Sequence, residues 1–247
     1  MSASVVPGAA ASGSLSERLA QLSWTHLASD LDASGMARVP ALLSIGECRA
    51  LAASYDNEAL FRSRIVMAQH GFGCGEYQYF AYPLPTLVQQ LRDALYAPLA
   101  QVANRWHEAL KLPARFPASH AQFLAHCHGA GQKRPTPLLL KYTAGDFNCL
   151  HQDLYGDEVF PLQLTLLLSQ PRIDFYGGEF VLTEQKPRAQ SRVEVVPLEC
   201  GDALIFASRY RPGRGARGVQ RLSMRHGVSR LRDGQRYTLG IVFHDAQ

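Results

Sequence analysis

The sequence predicts an α+β fold in which supporting helices come first and a double-stranded β-helix, a jelly-roll or cupin-like core, follows. Two observations support this prediction. Apolar residues recur at helical spacing between residues 15 and 31. Short apolar runs follow one another from Pro137 onward with no helical segment between them, and Gly, Pro or Asp residues separate these runs. Closely spaced short strands of this kind are typical of sandwiches and barrels.

The first half of the chain is predicted to be mainly helical. Residues 1–13 are rich in Ala, Ser and Gly and are expected to be disordered. A helix at 15–31 precedes a short extended segment at 36–39. Ser44 and Glu47 match the S-x-x-E capping box, which predicts that a helix begins there. Further helices are expected near 85–96, 98–110 and 118–128.

The second half is predicted to form the β-rich core. Residues 61–82 are expected to be a loop that leads into an aromatic strand, and the core itself spans about 137–245. No internal repeat or linker interrupts 14–247, so a single domain is expected. The predicted strands of the core are 138–142, 162–169, 179–183, 192–196, 203–207 and 236–243.

Composition favours a cytoplasmic protein. No stretch approaches the roughly 18 consecutive apolar residues that a membrane span needs. Residues 1–13 lack the basic and apolar regions of a signal peptide. The five cysteines form no C-x-x-C pair, a pattern that indicates reduced thiols rather than a disulfide framework or a zinc site.

Charge is unevenly distributed along the chain. The formal net charge is +4, yet residues 184–236 contain 12 Lys/Arg against five Asp/Glu. Within this basic part, a predicted loop carries six arginines and no acid: Arg209, Arg211, Arg214, Arg217, Arg221 and Arg225. Such a loop is suited to follow the phosphates of a nucleic acid, single-stranded or with a flipped base. The alternative interpretation is a solvated surface.

Three residues match the ligand set of a non-haem iron site. In the motif His151-Gln152-Asp153, the first and third residues would share one face of a strand and approach one metal together. His226 lies farther along the chain, just after the arginine-rich segment. Two histidines and one carboxylate form the facial triad of Fe(II) oxygenases, which leaves coordination positions open.

Three further residues are candidates for binding an anion near that metal. Arg236 is predicted to begin the last apolar strand, where a buried guanidinium needs an anionic partner such as a carboxylate. Thr238 lies two residues on and faces the same side. Tyr142 ends an apolar run shortly before His151, and its phenol would reach the same carboxylate. The alternative roles are a structural ion pair for Arg236 and a core position for Tyr142.

Together these residues resemble the Fe(II)/2-oxoglutarate dioxygenase superfamily, in its prolyl-hydroxylase-like branch. The resemblance covers about residues 137–245 and implies Fe(II), O2 and 2-oxoglutarate as cofactors and cosubstrates. That branch often has Lys at the position of Arg236. The matching motifs are Tyr142…Gly145…His151-x-Asp153, Gly177-Gly178-Glu179-Phe180, Gly201-Asp202-Ala203-Leu204-Ile205-Phe206, His226-Gly227-Val228 and Arg236-x-Thr238.

The wider chain, including residues 67–73 and 151–156, is similar to a bacterial subgroup whose members are proposed to demethylate damaged nucleic-acid bases. Hydroxylation of a prolyl or other protein residue, or of a small metabolite, is the alternative. A catalytically silent jelly-roll binding protein is a third hypothesis, which the intact triad disfavours. Residues 67–82 are either a lid, with Tyr77 or Tyr79 stacking on a base, or part of the core.

Three other features are expected to have no such function. A metal site at His120, His126 and His128 is disfavoured because residues two apart on a helix point in different directions. The glycine pattern at 213–218 lacks the βαβ context of a dinucleotide site. Asn148 is expected to be a turn residue.

Overall fold

The structure is a computed structural model that describes residues 11–113, 115–215 and 218–247. The expectation of a disordered N-terminus therefore lies, for residues 1–10, outside the described residues. Within the described ranges, no helix is long and apolar enough to cross a membrane.

The described residues form five α-helices, and four of them begin within two residues of where the sequence predicts. Ser44 and Glu47 make the expected capping box at the third helix. The predicted helix at 15–31 is instead two helices, because the chain turns at Gln21 and restarts after Ser23. The helices are α1 (Leu15–Ala20), α2 (Trp24–Ser34), α3 (Ile45–Ala53), α4 (Thr86–Ala109) and α5 (His120–Gly129).

The helix α4 replaces the two helices that were expected at 85–96 and 98–110. Pro98 lies inside it. An interior proline costs a helix about 3 kcal/mol. The buried face of α4 nevertheless continues past Pro98, with Leu95 and Leu99 before and after it and Trp106 farther on. Burial of such side chains contributes about 1.5–3 kcal/mol each, which is enough to keep the helix continuous.

Fourteen strands are formed by the described residues, in two antiparallel sheets. The strands are β1 (Met36–Val39), β2 (Phe61–Val66), β3 (Gly73–Cys74), β4 (Glu76–Phe80), β5 (Leu138–Thr143), β6 (Phe147–His151), β7 (Leu162–Leu167), β8 (Phe175–Gly177), β9 (Phe180–Gln185), β10 (Ser191–Val196), β11 (Ala203–Ala207), β12 (Tyr210–Gly215), β13 (Gly218–Val228) and β14 (Leu231–Val242).

The two sheets face each other as the layers of a jelly roll. The larger sheet has the order β1-β11-β7-β14-β5-β4-β2, with β8 beside β14. The smaller sheet has the order β10-β9-β13-β6-β3, with β12 beside β13. Side chains of both sheets line one cavity between them. Helices before a jelly-roll core are what the sequence predicts, so the predicted fold class is confirmed.

The arginine-rich segment is a β-hairpin, and its interpretation as a loop is wrong. Strands β12 and β13 pair from Tyr210↔Ser223 to Gly215↔Gly218. Leu222, Met224 and His226 alternate inward along β13 and are buried. This period of two predicts a strand. The loop was predicted from the many arginines in this segment, and the alternation of buried residues along it was not recognised.

A buried ion pair joins the end of the chain to the helices. Arg92 on α4 and Asp245 are both fully buried, and their side chains approach to 2.7 Å. The phenol of Tyr82 donates to the carboxylate of Asp245, and Nε2 of His128 lies 2.8 Å from it. His120 is held by Asp93 and by the carbonyl of Phe243. His120 and His128 thus help to join α5 to the end of the chain.

Candidate metal centre

The two histidines of the proposed triad are paired across neighbouring strands. His151 is the last residue of β6, and His226 lies opposite it on β13. Their ring centroids are 4.2 Å apart. A register shift follows immediately, between His226 and Val228, so the regular pairing of the two strands ends at this point. Cross-strand neighbours on one face are close enough to bind a common ligand.

Asp153 lies just beyond the end of β6 rather than on the strand. The sequence predicted that His151 and Asp153 share a strand face, and the structure corrects this. Gln152 holds the chain where it leaves β6, because its side-chain amide donates a hydrogen bond to the carbonyl oxygen of Met224 at 2.7 Å. The departure of the chain from the sheet brings the carboxylate between the two imidazoles.

The three side chains converge on one point. Asp153 Oδ1 lies 3.4 Å from Nε2 of His151, and Oδ2 lies 3.3 Å from Nε2 of His226. One ligand atom from each residue falls within 4.8 Å of the others. Two imidazole nitrogens and a carboxylate in such a cluster fit a non-haem Fe(II) ion with open coordination positions.

The protonation of Asp153 and of His226 also suits a cation. Burial opposes ionisation of Asp153, but the hydrogen bonds and charges of His151 and His226 outweigh it and hold its pKa well below the ordinary value. Burial, together with the nearby His151, lowers the pKa of His226. Burial also opposes charge on His151, yet hydrogen bonding to Asp153 raises its pKa. An ionised carboxylate and a neutral imidazole are the forms that bind metal.

Two contacts orient the ligand atoms. Nδ1 of His151 lies 2.7 Å from the carbonyl of Cys149, so Nδ1 carries the proton and Nε2 is left to face the cluster. The phenol of Tyr155 donates to Asp153 Oδ1 at 2.8 Å. Tyr155 was not identified from the sequence. Its position two residues after Asp153, next to a proposed ligand, is the signal that would have singled it out.

Arg236 lines the same cavity, which has a volume of about 390 Å³. Its side chain is buried, and Nε and Nη1 make no hydrogen bond within the described residues. Burial lowers its pKa to about 10, which leaves it charged near neutral pH. A buried guanidinium without partners is costly, and an anionic ligand would remove that cost.

Tyr142 and Thr238 join Arg236 in this cavity. Arg236 pairs with Tyr142 across β14 and β5, and Thr238 is buried two residues farther along β14. Arg236 lies within β14 rather than at its start, since the strand begins at Leu231. Asn148 is a strand residue, not a turn residue, and its amide donates to the Tyr142 hydroxyl at 3.4 Å.

The basic hairpin divides into exposed and buried arginines. Arg211 is buried, and its Nε donates to Glu184 at 2.8 Å, so it does not belong to the exposed basic surface. Arg209 and Arg221 lie over the ring of Tyr210, at 4.7 and 4.9 Å. Arg214 and Arg225 are exposed, whereas Arg217 lies outside the described residues. The sequence placed Arg211 on the basic surface because Glu184, its partner in the ion pair, is distant along the chain.

Apolar side chains surround the opening of the cavity. Phe72, Leu150 and Leu154 line the cavity and remain exposed. The ring of Phe72 stacks on His70 with centroids 5.3 Å apart. Tyr77 also lines the cavity, whereas Tyr79 is buried in the core.

Comparison with known protein families and sequences gives two results. The model of the family Oxygenase-NA, described as an oxygenase catalysing oxidative methylation of damaged DNA, matches residues 75–246. Two proteins of Mycobacterium tuberculosis, uncharacterized protein MT2286 of strain CDC 1551 and uncharacterized protein Rv2227 of strain H37Rv, are each 48% identical over 167 residues. That alignment covers 68% of this chain and 72% of each relative.

Several solved structures share the fold. A prolyl-4-hydroxylase of Pseudomonas putida is 16% identical, with a TM-score of 0.53 over 91% of this chain and 99% of that one. An oxidoreductase of the 2OG-Fe(II) oxygenase family from Burkholderia pseudomallei is 14% identical, with a TM-score of 0.52 over 96% and 95% of the two chains. The epimerase SnoN from nogalamycin biosynthesis is 15% identical, with a TM-score of 0.54 over 88% and 80%. A complex of SnoN with Fe3+, alpha ketoglutarate and nogalamycin RO is also similar, with a TM-score of 0.50 and 14% identity over 88% and 81% of the chains.

Proposed function

Because the chain belongs to the Oxygenase-NA family of oxygenases, we propose that it is an Fe(II)- and 2-oxoglutarate-dependent dioxygenase that removes alkyl groups from nucleic-acid bases. The observation that carries this proposal is that one cavity between the two sheets contains both the ligand cluster and Arg236. At one end of it the side chains of His151, Asp153 and His226 converge. At the other, the buried guanidinium of Arg236 has two donors without partners in the described residues. A metal ion would bind to the cluster, and a carboxylate of the cosubstrate would accept hydrogen bonds from the guanidinium.

Each residue of the cavity has a distinct proposed role. Fe(II) would be held by Nε2 of His151, the carboxylate of Asp153 and Nε2 of His226. Arg236 would form charge-assisted hydrogen bonds with the far carboxylate of 2-oxoglutarate, with Thr238 adding a hydroxyl. The Tyr142 hydroxyl, which accepts a hydrogen bond from Asn148, would contribute its own proton to the same carboxylate.

When bound, Fe(II), O2 and 2-oxoglutarate supply the hydroxylation of a C–H bond with release of CO2 and succinate. The protein holds the reacting groups in place and excludes water. Leu140 and Leu164 line the cavity beside the proposed cosubstrate site and keep it apolar. On an N-methyl base, the hydroxylated product would lose formaldehyde and leave the unmodified base.

The surface around the cavity supports a nucleic-acid substrate. Exposed Phe72, Leu150 and Leu154 provide apolar contacts at the opening, of the kind that an unstacked base requires. The exposed arginines of the hairpin, Arg209, Arg214, Arg221 and Arg225, would follow the phosphates of a single strand. These two features are adjacent, since Gln152 also donates to the carbonyl of Arg209.

A protein residue or a small metabolite is the competing substrate class. The likeness to a prolyl-4-hydroxylase, at 16% identity, concerns the fold. A cytoplasmic location fits the five cysteines, all of which are free. Nucleic acid remains the better-supported class because the family model and the exposed arginines agree on it.

A substrate panel tests the proposal. Succinate release by the Fe(II)-loaded protein would be measured with N-methylated single-stranded oligonucleotides, unmodified oligonucleotides, prolyl peptides and small metabolites. We expect release of succinate and formaldehyde in equal amounts with the methylated oligonucleotides. Stimulation by peptides or metabolites alone would contradict the nucleic-acid assignment while leaving the chemistry intact.

A further inference from the structure

A pocket outside the metal cavity lies where the end of α4 meets the hairpin of β12 and β13, and we call it the hairpin pocket. Its volume is about 200 Å³. Much of its wall is apolar, and the apolar residues come from the end of α4, from just after that helix and from the segment that precedes β7. They are Trp106, Leu110, Leu112, Val159 and Pro161.

Two arginines line the hairpin pocket with their guanidinium groups held over an aromatic ring. The guanidinium carbons of Arg209 and Arg221 lie 4.7 and 4.9 Å from the ring centre of Tyr210, which lines the same pocket. Both arginines are exposed. The described residues that line the pocket include no Asp or Glu. The pocket therefore combines an apolar wall with positive charge that no acid of the wall balances.

Two polar side chains of the wall are already hydrogen-bonded to other parts of the protein. The indole N–H of Trp106 donates to Oδ1 of Asp32 at 2.6 Å. The hydroxyl of Ser208 donates to the carbonyl of Phe160 at 3.5 Å. Apolar and aromatic surfaces beside exposed arginines are suited to stack on a base and to contact its phosphates. Binding of this kind tolerates any base, because it does not read the hydrogen-bonding edge.

One segment of the chain connects the metal cavity to the hairpin pocket. Residues 152–161 follow directly after the proposed ligand His151. Leu154 lines the metal cavity and is exposed at its opening, whereas Val159 and Pro161 line the hairpin pocket. The opening of the cavity and the pocket are thus built from the two ends of one short segment.

The strand β13 gives the separation of the two sites. Tyr210 pairs with Ser223, which lies three residues before His226. At the rise of a β-strand, three residues span about 10 Å. The side-chain amide of Gln152 lies between the sites and donates to the carbonyl of Arg209 at 3.2 Å. A nucleic-acid strand whose modified base enters the metal cavity would therefore bring a nearby nucleotide to the hairpin pocket.

We propose that the hairpin pocket binds a flanking base, one or two positions from the modified base in the same strand, with Arg209 and Arg221 on the adjacent phosphates. This inference rests on the proposed function, because the metal cavity must take the modified base. The flanking base would fix the register of the strand and so direct the modified base toward the metal site. Contacts to flanking nucleotides set the choice of substrate in enzymes that act on unstacked bases.

Abasic scanning of an oligonucleotide tests the hairpin pocket. The probe is a fluorophore-labelled single-stranded oligonucleotide with one N-methylated adenine at its centre, and an abasic site replaces each other base in turn. Fluorescence anisotropy at low salt measures binding without added Fe(II) or 2-oxoglutarate. We expect an abasic site one or two positions from the methylated adenine, on one side only, to weaken binding about tenfold. An abasic site at either end should weaken it less than about twofold.

Filling the pocket shows where the flanking base binds. Val159→Trp places a ring in the pocket, and Val195→Trp makes the same substitution at an exposed strand residue that does not line it. In Val159→Trp the flanking abasic site should no longer weaken binding, because the pocket is already occupied. In Val195→Trp the loss should equal that of the wild type. Thermal scans establish that both variants are folded. Should Val159→Trp unfold, Leu112→Trp fills the pocket from another segment of its wall.

Two results would overturn the inference and leave the proposed function standing, because the oligonucleotide would still bind. One is a flanking abasic site that weakens binding as much in the folded pocket-filling variant as in the wild type. The other is a wild-type protein that binds every abasic oligonucleotide as tightly as the intact one. No binding of the intact methylated oligonucleotide at low salt would instead contradict the nucleic-acid substrate, and the flanking-base site with it.

Discussion

The phenol of Tyr155 donates a hydrogen bond to Asp153 Oδ1 at 2.8 Å, on the carboxylate that lies between the two imidazoles of the proposed metal site. Tyr155 is itself half-buried, and its ring packs edge-on against the ring of Tyr79 with centroids 6.1 Å apart. A fixed phenol therefore limits the orientations of Asp153 and keeps an oxygen directed toward the two histidines.

Tyr155→Phe should weaken metal binding without unfolding the protein. Loss of a hydrogen bond to a metal ligand typically costs 10–100-fold in metal affinity, and we expect about that loss here. Calorimetric titration of the metal-free protein with Mn2+ measures it. Tyr77→Phe is the matched control, because Tyr77 lines the same cavity and packs on Tyr79, and within the described residues it forms no hydrogen bond with the three ligands. Unchanged affinity in Tyr155→Phe would show that Asp153 is positioned by other groups.

Arg236→Met should abolish the stabilising effect of 2-oxoglutarate. The buried carboxylate would lose its charged partner, a loss on the order of 3 kcal/mol or more in binding. In the ligand-free protein the variant should not lower Tm, since it removes a buried charge whose Nε and Nη1 have no partners in the described residues. Thermal scans with and without 2-oxoglutarate give both results. A gain in Tm equal to that of the wild type would contradict the assignment of Arg236.

Arg92→Met should strongly destabilise the protein. It leaves Asp245 as a buried carboxylate without its cation, which costs about 3–5 kcal/mol in the free energy of unfolding. Arg105→Met is the control, because Arg105 and Asp32 form an exposed ion pair that contributes at most about 1 kcal/mol. Urea unfolding measures both changes. Similar effects in the two variants would show that the buried pair has no special structural role.

Replacing Arg209, Arg214 and Arg221 together by Gln should weaken the salt dependence of oligonucleotide binding. Each lost phosphate contact flattens the slope by about 0.7, so the triple variant should lose about two units. Fluorescence anisotropy at several salt concentrations measures the slope. Arg211→Gln should leave the slope unchanged, because Arg211 is buried against Glu184. A slope that stays at the wild-type value in the triple variant would remove the hairpin from the nucleic-acid surface.

Local patterns in the sequence predicted much of this fold. The Ser44 capping box, the strand at 203–207 and the helices before a jelly roll follow from short-range rules of periodicity and capping. The break at Gln21 was missed because both helices direct leucines, Leu15 and Leu27, into one core, so the apolar period continues through the turn.

The site required long-range information that composition does not carry. The sequence proposed His151, Asp153, His226 and Arg236, and the fold brings the first three together and places Arg236 in the same cavity. The place of Arg236 beside Tyr142 in that cavity depends on the pairing of β14 with β5. The burial of Arg211 likewise depends on a Glu 27 residues away along the chain.

The central claim is that the cluster of His151, Asp153 and His226 holds the iron that turns over 2-oxoglutarate. Succinate formation by the Asp153→Ala variant, with Fe(II), 2-oxoglutarate, O2 and a methylated oligonucleotide, tests it most directly. Circular dichroism would first establish that the variant is folded. We predict no succinate above the level seen without protein, because loss of the carboxylate opens the triad. Wild-type succinate formation by a folded Asp153→Ala protein would contradict the claim.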